Sequence, residues 1–113
     1  MTFRLVIVES PFAGNVARNL SYVRAAMADC LHRNEAPFAS HALYTQAGVL
    51  DDEDADERRT GIAAGLAWGD RADATVVYAD LGYSAGMRQG IARAEAAGRP
   101  VEIRSIRGWS AAS

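Results

Sequence analysis

Three short stretches hold most of the side chains with chemical potential. They are ESPFAGN (Glu9–Asn15), HALYTQ (His41–Gln46) and DLGYSAGM (Asp80–Met87). Glu9 and Asp80 are carboxylates of the kind used as nucleophile or acid at a sugar carbon. His41, three residues before Tyr44, suits contact with a base or proton transfer. Ser10, Pro11, Phe12, Gly14 and Asn15 form one turn into a helix; Ser84, Gly86 and Met87 form another. Free backbone N–H groups at such helix starts favour an anion such as phosphate. Together the stretches describe a crevice for a small polar ligand with an anionic group, most simply a nucleotide. Each residue alone has a plainer reading. Asn15 and Ser84 are ordinary N-caps, the glycines ordinary turn residues, His41 a satisfied loop histidine, and Glu9 and Asp80 caps of neighbouring loops.

Other motifs are weaker. There is no G-x-x-x-x-G-K-[ST] phosphate loop, and no G-x-G-x-x-G follows the first apolar run, which argues against a dinucleotide cofactor. Two histidines and one cysteine have no zinc-ligand spacing, so no metal and no cofactor is expected. The acidic run from Asp51 to Glu57 has no EF-hand pattern and reads as a solvated helix start. Arg58 and Arg59 answer that acidity or reach a phosphate. Trp68 and Trp109 read as packing residues, Trp109 within the chain or across an oligomer interface.

The elements that must position these stretches follow from periodicity. Phe3–Val8 is a nearly continuous apolar run, as a strand buried on both faces shows. Val16, Leu20, Val23, Met27, Cys30 and Leu31 mark one face of a helix that runs to about Arg33. Ala36–Leu43 is a weaker strand containing Pro37, hence short or at an edge. A loop over Tyr44–Asp54 leads to a helix from about Ala55 to Trp68, with Ile62 and Leu66 facing inward. Ala74–Ala79 is the clearest buried strand. Ser84 caps a helix with Met87, Ile91 and Ala94 on its inner side, ended by Gly98 before Pro100. Val101–Ile106 alternates as an edge strand would. The alternation predicts one α/β domain over residues 1–113: a small doubly wound (Rossmann- or flavodoxin-like) parallel sheet of about four strands, with helices on both faces. In such a sheet ligands bind outside the carboxyl ends of the strands, where the three stretches fall.

With the loops so placed, the sequence resembles the nucleoside 2-deoxyribosyltransferase-like superfamily, and within it the small members common in phages and actinobacteria. The resemblance covers most of the chain. It rests on ESPFAGN, on ASHALYTQAGVLDDEDADERRTGIAAG and on DATVVYADLGYSAGMRQGIARAEAAGRPV. It implies N-glycosidic bond chemistry on nucleosides or nucleoside monophosphates, a carboxylate acting at the anomeric carbon. The nucleotide hydrolases of the superfamily carry S-x-G-x-x-x-E, serine at the phosphate and glutamate as nucleophile. Ser84 and Gly86 match the first two positions, but the glutamate position is Gly90. Its neighbours Arg88 and Gln89 are not carboxylates, and Glu95 lies more than a helical turn further on.

Glycine inside a helix costs roughly 1 kcal/mol against alanine. Gly86, Gly90 and Ala94 recur at every fourth position and form a smooth stripe, for close packing or for ligand room. Two functions follow. One is a nucleotide-binding protein without the usual catalytic Glu, sensing or sequestering a nucleotide-derived signal as a phage-type sponge would. The other is a nucleoside monophosphate N-glycosidase or deoxyribosyltransferase with a displaced carboxylate, Asp80 or Glu9.

Composition sets the surroundings. The chain has 113 residues and a net charge of -2, so no basic surface points to nucleic acid. No apolar run reaches membrane-spanning length and the N-terminus has no signal-peptide layout. The one cysteine fits a reducing cytoplasm. An open sheet edge and the smooth stripe favour a homo-oligomer.

Overall fold

The structure is a computed structural model that describes residues 2–110. The elements, in chain order, are β1 (Arg4–Glu9), α1 (Val16–His32), β2 (Glu35–Phe38), α2 (Ser40–Leu43), α3 (Ala55–Gly69), β3 (Ala74–Tyr78), α4 (Ala85–Ala96) and β4 (Val101–Arg104). The strands form one parallel sheet in the order β2-β1-β3-β4. This is the expected α/β class, and the order reverses between β1 and β3. In open parallel sheets that reversal opens a crevice.

Side chains alternate across a strand, so each strand serves both layers. Val6 and Val8 of β1, with Val76 and Tyr78 of β3, pack with Tyr22, Val23, Ala26 and Cys30 of α1 into one core cluster. Ile7 and Glu9 point to the opposite face, the side of α3 and α4. β3 is buried along its whole length, which explains its unbroken apolar run.

Local chemistry sets most boundaries. The Asn15 side chain accepts from the Arg18 N–H and starts α1. Asp54 caps α3 by accepting from the N–H groups of Asp56 and Glu57, so the acidic run does begin a helix. Ser84 accepts from the Met87 N–H at 3.1 Å and starts α4. Gly98, with φ at 70°, follows its C-cap.

Three expectations need correction. Ala36–Leu43 is not one strand: β2 stops at Phe38 and Ser40–Leu43 winds into one helical turn. Pro37 fits because β2 is an edge strand whose outer side needs no N–H. β4 ends at Arg104 rather than Ile106, since Ser105 and the Ile106 N–H turn aside to bond Asp80. Ile62 does not face a core: it is 44% exposed, and Gly69 is the one buried residue of α3. Glycines explain how α3 sits so close. Gly61, Gly65 and Gly69 form a second stripe, and an added Cβ would meet Leu50, Ser40 and Arg99 respectively at 3.2, 2.7 and 3.2 Å.

Candidate functional site

A groove of about 570 Å³ lies between α3 and α4, floored by β1 and β3. α4 runs antiparallel to the strands, so Ser84, Ala85 and Gly86 stand at one end, Gly90 midway and Arg93 at the other. Glu9, the last residue of β1, stands in the floor under Gly90. A Cβ built on Gly90 would fall within the Glu9 carboxyl group, only 2.8 Å even from the more distant oxygen, Oε1. Gly90 is therefore a close-approach glycine, and what approaches is an acid. The room a side chain at position 90 of α4 would need is filled by the end of one from β1.

Burial governs the charge of this acid. Loss of solvent pushes Glu9 up to about 8, although the positive Arg99 pulls the other way. One pH unit below that value, only roughly a tenth of the carboxyl is ionised. At neutral pH it is chiefly a neutral group with one O–H to donate.

Beside it, the Ser10 hydroxyl and His41 Nε2 are 2.7 Å apart. Burial pushes His41 down to about 4, so its imidazole is neutral and can accept the serine proton or donate its own. Ser10 is 5% exposed, which ties the pair into the wall. Phe12, Phe38 and Tyr44 add three aromatic faces to the lining. Phe38 stacks on Trp68 with centroids 5.0 Å apart, and the Trp68 indole N–H donates to the Tyr44 hydroxyl at 3.0 Å. Those contacts fix the ring planes and explain why Trp68 stays in place while 54% exposed.

Of the residues selected from sequence, Glu9, Ser10, Phe12, His41, Tyr44, Ser84, Gly86 and Met87 line this groove. Met87 reaches it least: it is buried, and its sulfur accepts from the Ser84 N–H at 3.3 Å. Pro11 is buried outside the lining. Gly14 belongs to a wider, shallower depression of about 1150 Å³ beside the Thr45–Arg59 segment. Asn15 is spent on its cap.

Asp80 needs a correction. It does not line the groove. Its Oδ2 accepts from the Tyr22 hydroxyl at 2.6 Å and the Ile106 N–H at 2.8 Å, and its Oδ1 from the Ser105 hydroxyl. Burial alone would raise its pKa, but these donors outweigh it and hold the carboxyl below the usual range. Asp80 anchors the segment after β4, where Trp109 packs edge-on against Tyr22 at 4.8 Å. That segment reaches the sheet from the chain's far end, beyond any local pattern.

Thr75, Arg93 and Arg99 line the groove without having been expected there. Thr75 and Arg99 lie towards the amino ends of β3 and β4, the end of the sheet that the usual ligand rule discounts. The periodic spacing of Gly61, Gly65 and Gly69 was the one signal of a wall on that side.

A family profile described as a domain of unknown function, DUF7768, matches residues 4–104. The chain belongs to this family. Comparison with curated proteins gives no significant match. Among solved structures, a 2-deoxyribosyltransferase from the psychrotolerant bacterium Bacillus psychrosaccharolyticus superimposes with a TM-score of 0.65. Identity is 17%, over 94% of this chain and 75% of that one. The likeness places this DUF7768 domain in a 2-deoxyribosyltransferase-like, Rossmann-type fold. Among its described residues no helix is long and apolar enough to cross a membrane.

Proposed function

We propose that this DUF7768 domain binds a nucleoside or nucleotide in the groove between α3 and α4, and holds it intact. The observation that carries the reading is the Glu9 carboxyl filling the space that Gly90 leaves. A carboxyl kept largely protonated at neutral pH is a hydrogen-bond donor rather than a nucleophile. It suits a sugar hydroxyl or a base carbonyl. Phe12, Phe38 and Tyr44 offer faces for a base, and the Ser10–His41 pair offers polar edges. Sensing or sequestering a nucleotide-derived signal is the role that matches intact retention.

Catalysis is the second reading. It is favoured by the position of Glu9 in the floor and by the pull of Arg99 towards the ionised form. An oxocarbenium-like centre developing above Glu9 would strengthen that pull and permit attack or ion-pair stabilisation.

The two readings diverge in pH dependence. The full chain is incubated with a panel of nucleosides and nucleoside monophosphates, denatured, and the small molecules are identified by mass spectrometry. Binding through protonated Glu9 gives intact ligand, with affinity falling above about pH 8. Catalysis through ionised Glu9 gives free base at a rate that rises through the same pH. No retained ligand and no base from any member of the panel rejects both.

A further inference from the structure

The far end of the groove from the α4 N-terminus holds an arginine with no counter-ion. Arg99 donates through Nε to the Thr75 hydroxyl at 3.1 Å and through Nη1 to the Gly69 carbonyl at 2.7 Å. Both acceptors are neutral, and among the described residues no ion pair involves Arg99. The absence of a side chain at Gly69 makes room for the guanidinium, since a Cβ there would stand 3.2 Å from Nη2. A hydroxyl, a carbonyl and a glycine thus hold the group in one orientation, with the Nη2 protons uncommitted in the cavity. Arg93 lines the same end, and among the described residues its one acidic partner, Asp70, is 3.8 Å away on the exposed side. The one acid in the lining near Arg99 is Glu9.

We propose that Arg99 forms an oxyanion subsite, which receives a phosphate or carboxylate group of the bound ligand at the amino end of the sheet. The inference rests on the groove being the ligand site, and it names the ligand class as anionic. It also sets the direction of the ligand: the anion lies towards Arg99 and Arg93, not in the turn before α4. In that turn the Ser84 oxygen accepts from the Met87 N–H, which ties the side chain to its cap. The Nη2 protons, held in place by the two bonds from Nε and Nη1, can each donate a charge-assisted hydrogen bond to an oxyanion. Anion binding has an electrostatic echo. It cancels the positive field that pulls Glu9 towards ionisation, so occupancy raises the Glu9 titration point and takes up protons.

The test uses the full chain labelled with nitrogen-15. Inorganic phosphate, and separately acetate, is titrated in at constant ionic strength while the arginine Nε–H and backbone amide resonances are followed. The expected result is a saturable shift of the Arg99 Nε–H, about tenfold or more weaker binding in Arg99→Gln, and partial recovery in Arg99→Lys. Phosphate and acetate arms separate the two oxyanion types. Shifts confined to the Ser84–Met87 amides, or unchanged phosphate affinity in Arg99→Gln, overturn the subsite. The wild-type shift decides the matter if Arg99→Gln does not fold. Uncharged nucleosides form the control arm. Nucleosides that shift Phe38 and Tyr44, with Arg99 silent to both anions, remove the subsite and leave the ligand reading standing. Anions that bind at Arg99, with no nucleoside or nucleotide retained, do the reverse.

Discussion

Replacing Glu9 by Gln should reshape the pH dependence of stability between pH 4.5 and 8. Two buried groups act in this window with opposite signs. Glu9 rises from 4.5 to about 8 on folding, so the native state keeps a proton that the unfolded chain releases above 4.5. Its burial therefore costs nothing below 4.5, and stability falls steadily as pH rises towards 8. His41 drops from 6.5 to about 4, so the unfolded chain holds a proton that the native state refuses. Its burial costs nothing above 6.5, and stability falls as pH drops towards 4. From 4.5 to 6.5 the two slopes cancel. From 6.5 to 8 Glu9 acts alone, and one and a half pH units at about 1.4 kcal/mol each give a loss of about 2 kcal/mol. The lowered carboxyls, Asp29, Glu35, Asp80 and Glu102, add their dependence below this window. Urea unfolding at half-unit pH steps should show a plateau and then a decline in the wild type. Glu9→Gln should show a rise of about 3 kcal/mol up to pH 6.5 and then a plateau, because only His41 is left. A wild type that is flat from 6.5 to 8, or a Glu9→Gln variant that still declines there, would refute the neutral-acid floor.

Gly90→Ala should push the Glu9 carboxyl off its seat into the open groove, and its titration by carbon-13 NMR should move from about 8 towards the ordinary carboxylate range; an unchanged titration sinks the close-approach account. Gly65→Ala should destabilise by about 1–3 kcal/mol in thermal or urea unfolding, because its Cβ meets Ser40 Cβ at 2.8 Å and overpacking outweighs the helix gain; a stabilised variant contradicts this. Asp80→Ala should cost about 2–3 kcal/mol by stranding the Tyr22 hydroxyl and should alter Trp109 fluorescence, with retention of nucleosides unchanged. Lost retention in a folded Asp80→Ala protein would return Asp80 to the site.

The α/β class was legible because β1 and β3 are apolar runs and Asn15, Asp54, Ser84 and Gly98 carry cap signals in sequence. The second strand was misread because Pro37 and the helical turn after it share one apolar stretch, and only pairing with β1 decides where the strand stops. Eight of the candidate residues meet in one groove because the turns after parallel strands converge at one end of the sheet. Asp80 misled because a strand-end carboxylate looks the same whether it faces a cavity or ties down the tail. Arg99 was invisible because its role depends on Gly69 and Thr75, distant in sequence and adjacent only in the fold. Gly90 reads in the sequence only as a gap in a helix, and the acid that fills it, Glu9, stands on β1.

The glycines on the two helices also decide how this cavity can change. Where walls carry side chains, a pocket's width follows rotamers, and a substitution is absorbed by its neighbours. Here Gly61, Gly65, Gly69, Gly86 and Gly90 all border the space, and at four of them a side chain from another segment (Leu50, Ser40, Arg99 or Glu9) takes the room a Cβ would need. A methyl added at one of those four positions displaces its own neighbour, so each substitution reshapes the groove through a different side chain. The dimensions of the site are thus written in single carbon atoms, position by position along two helices.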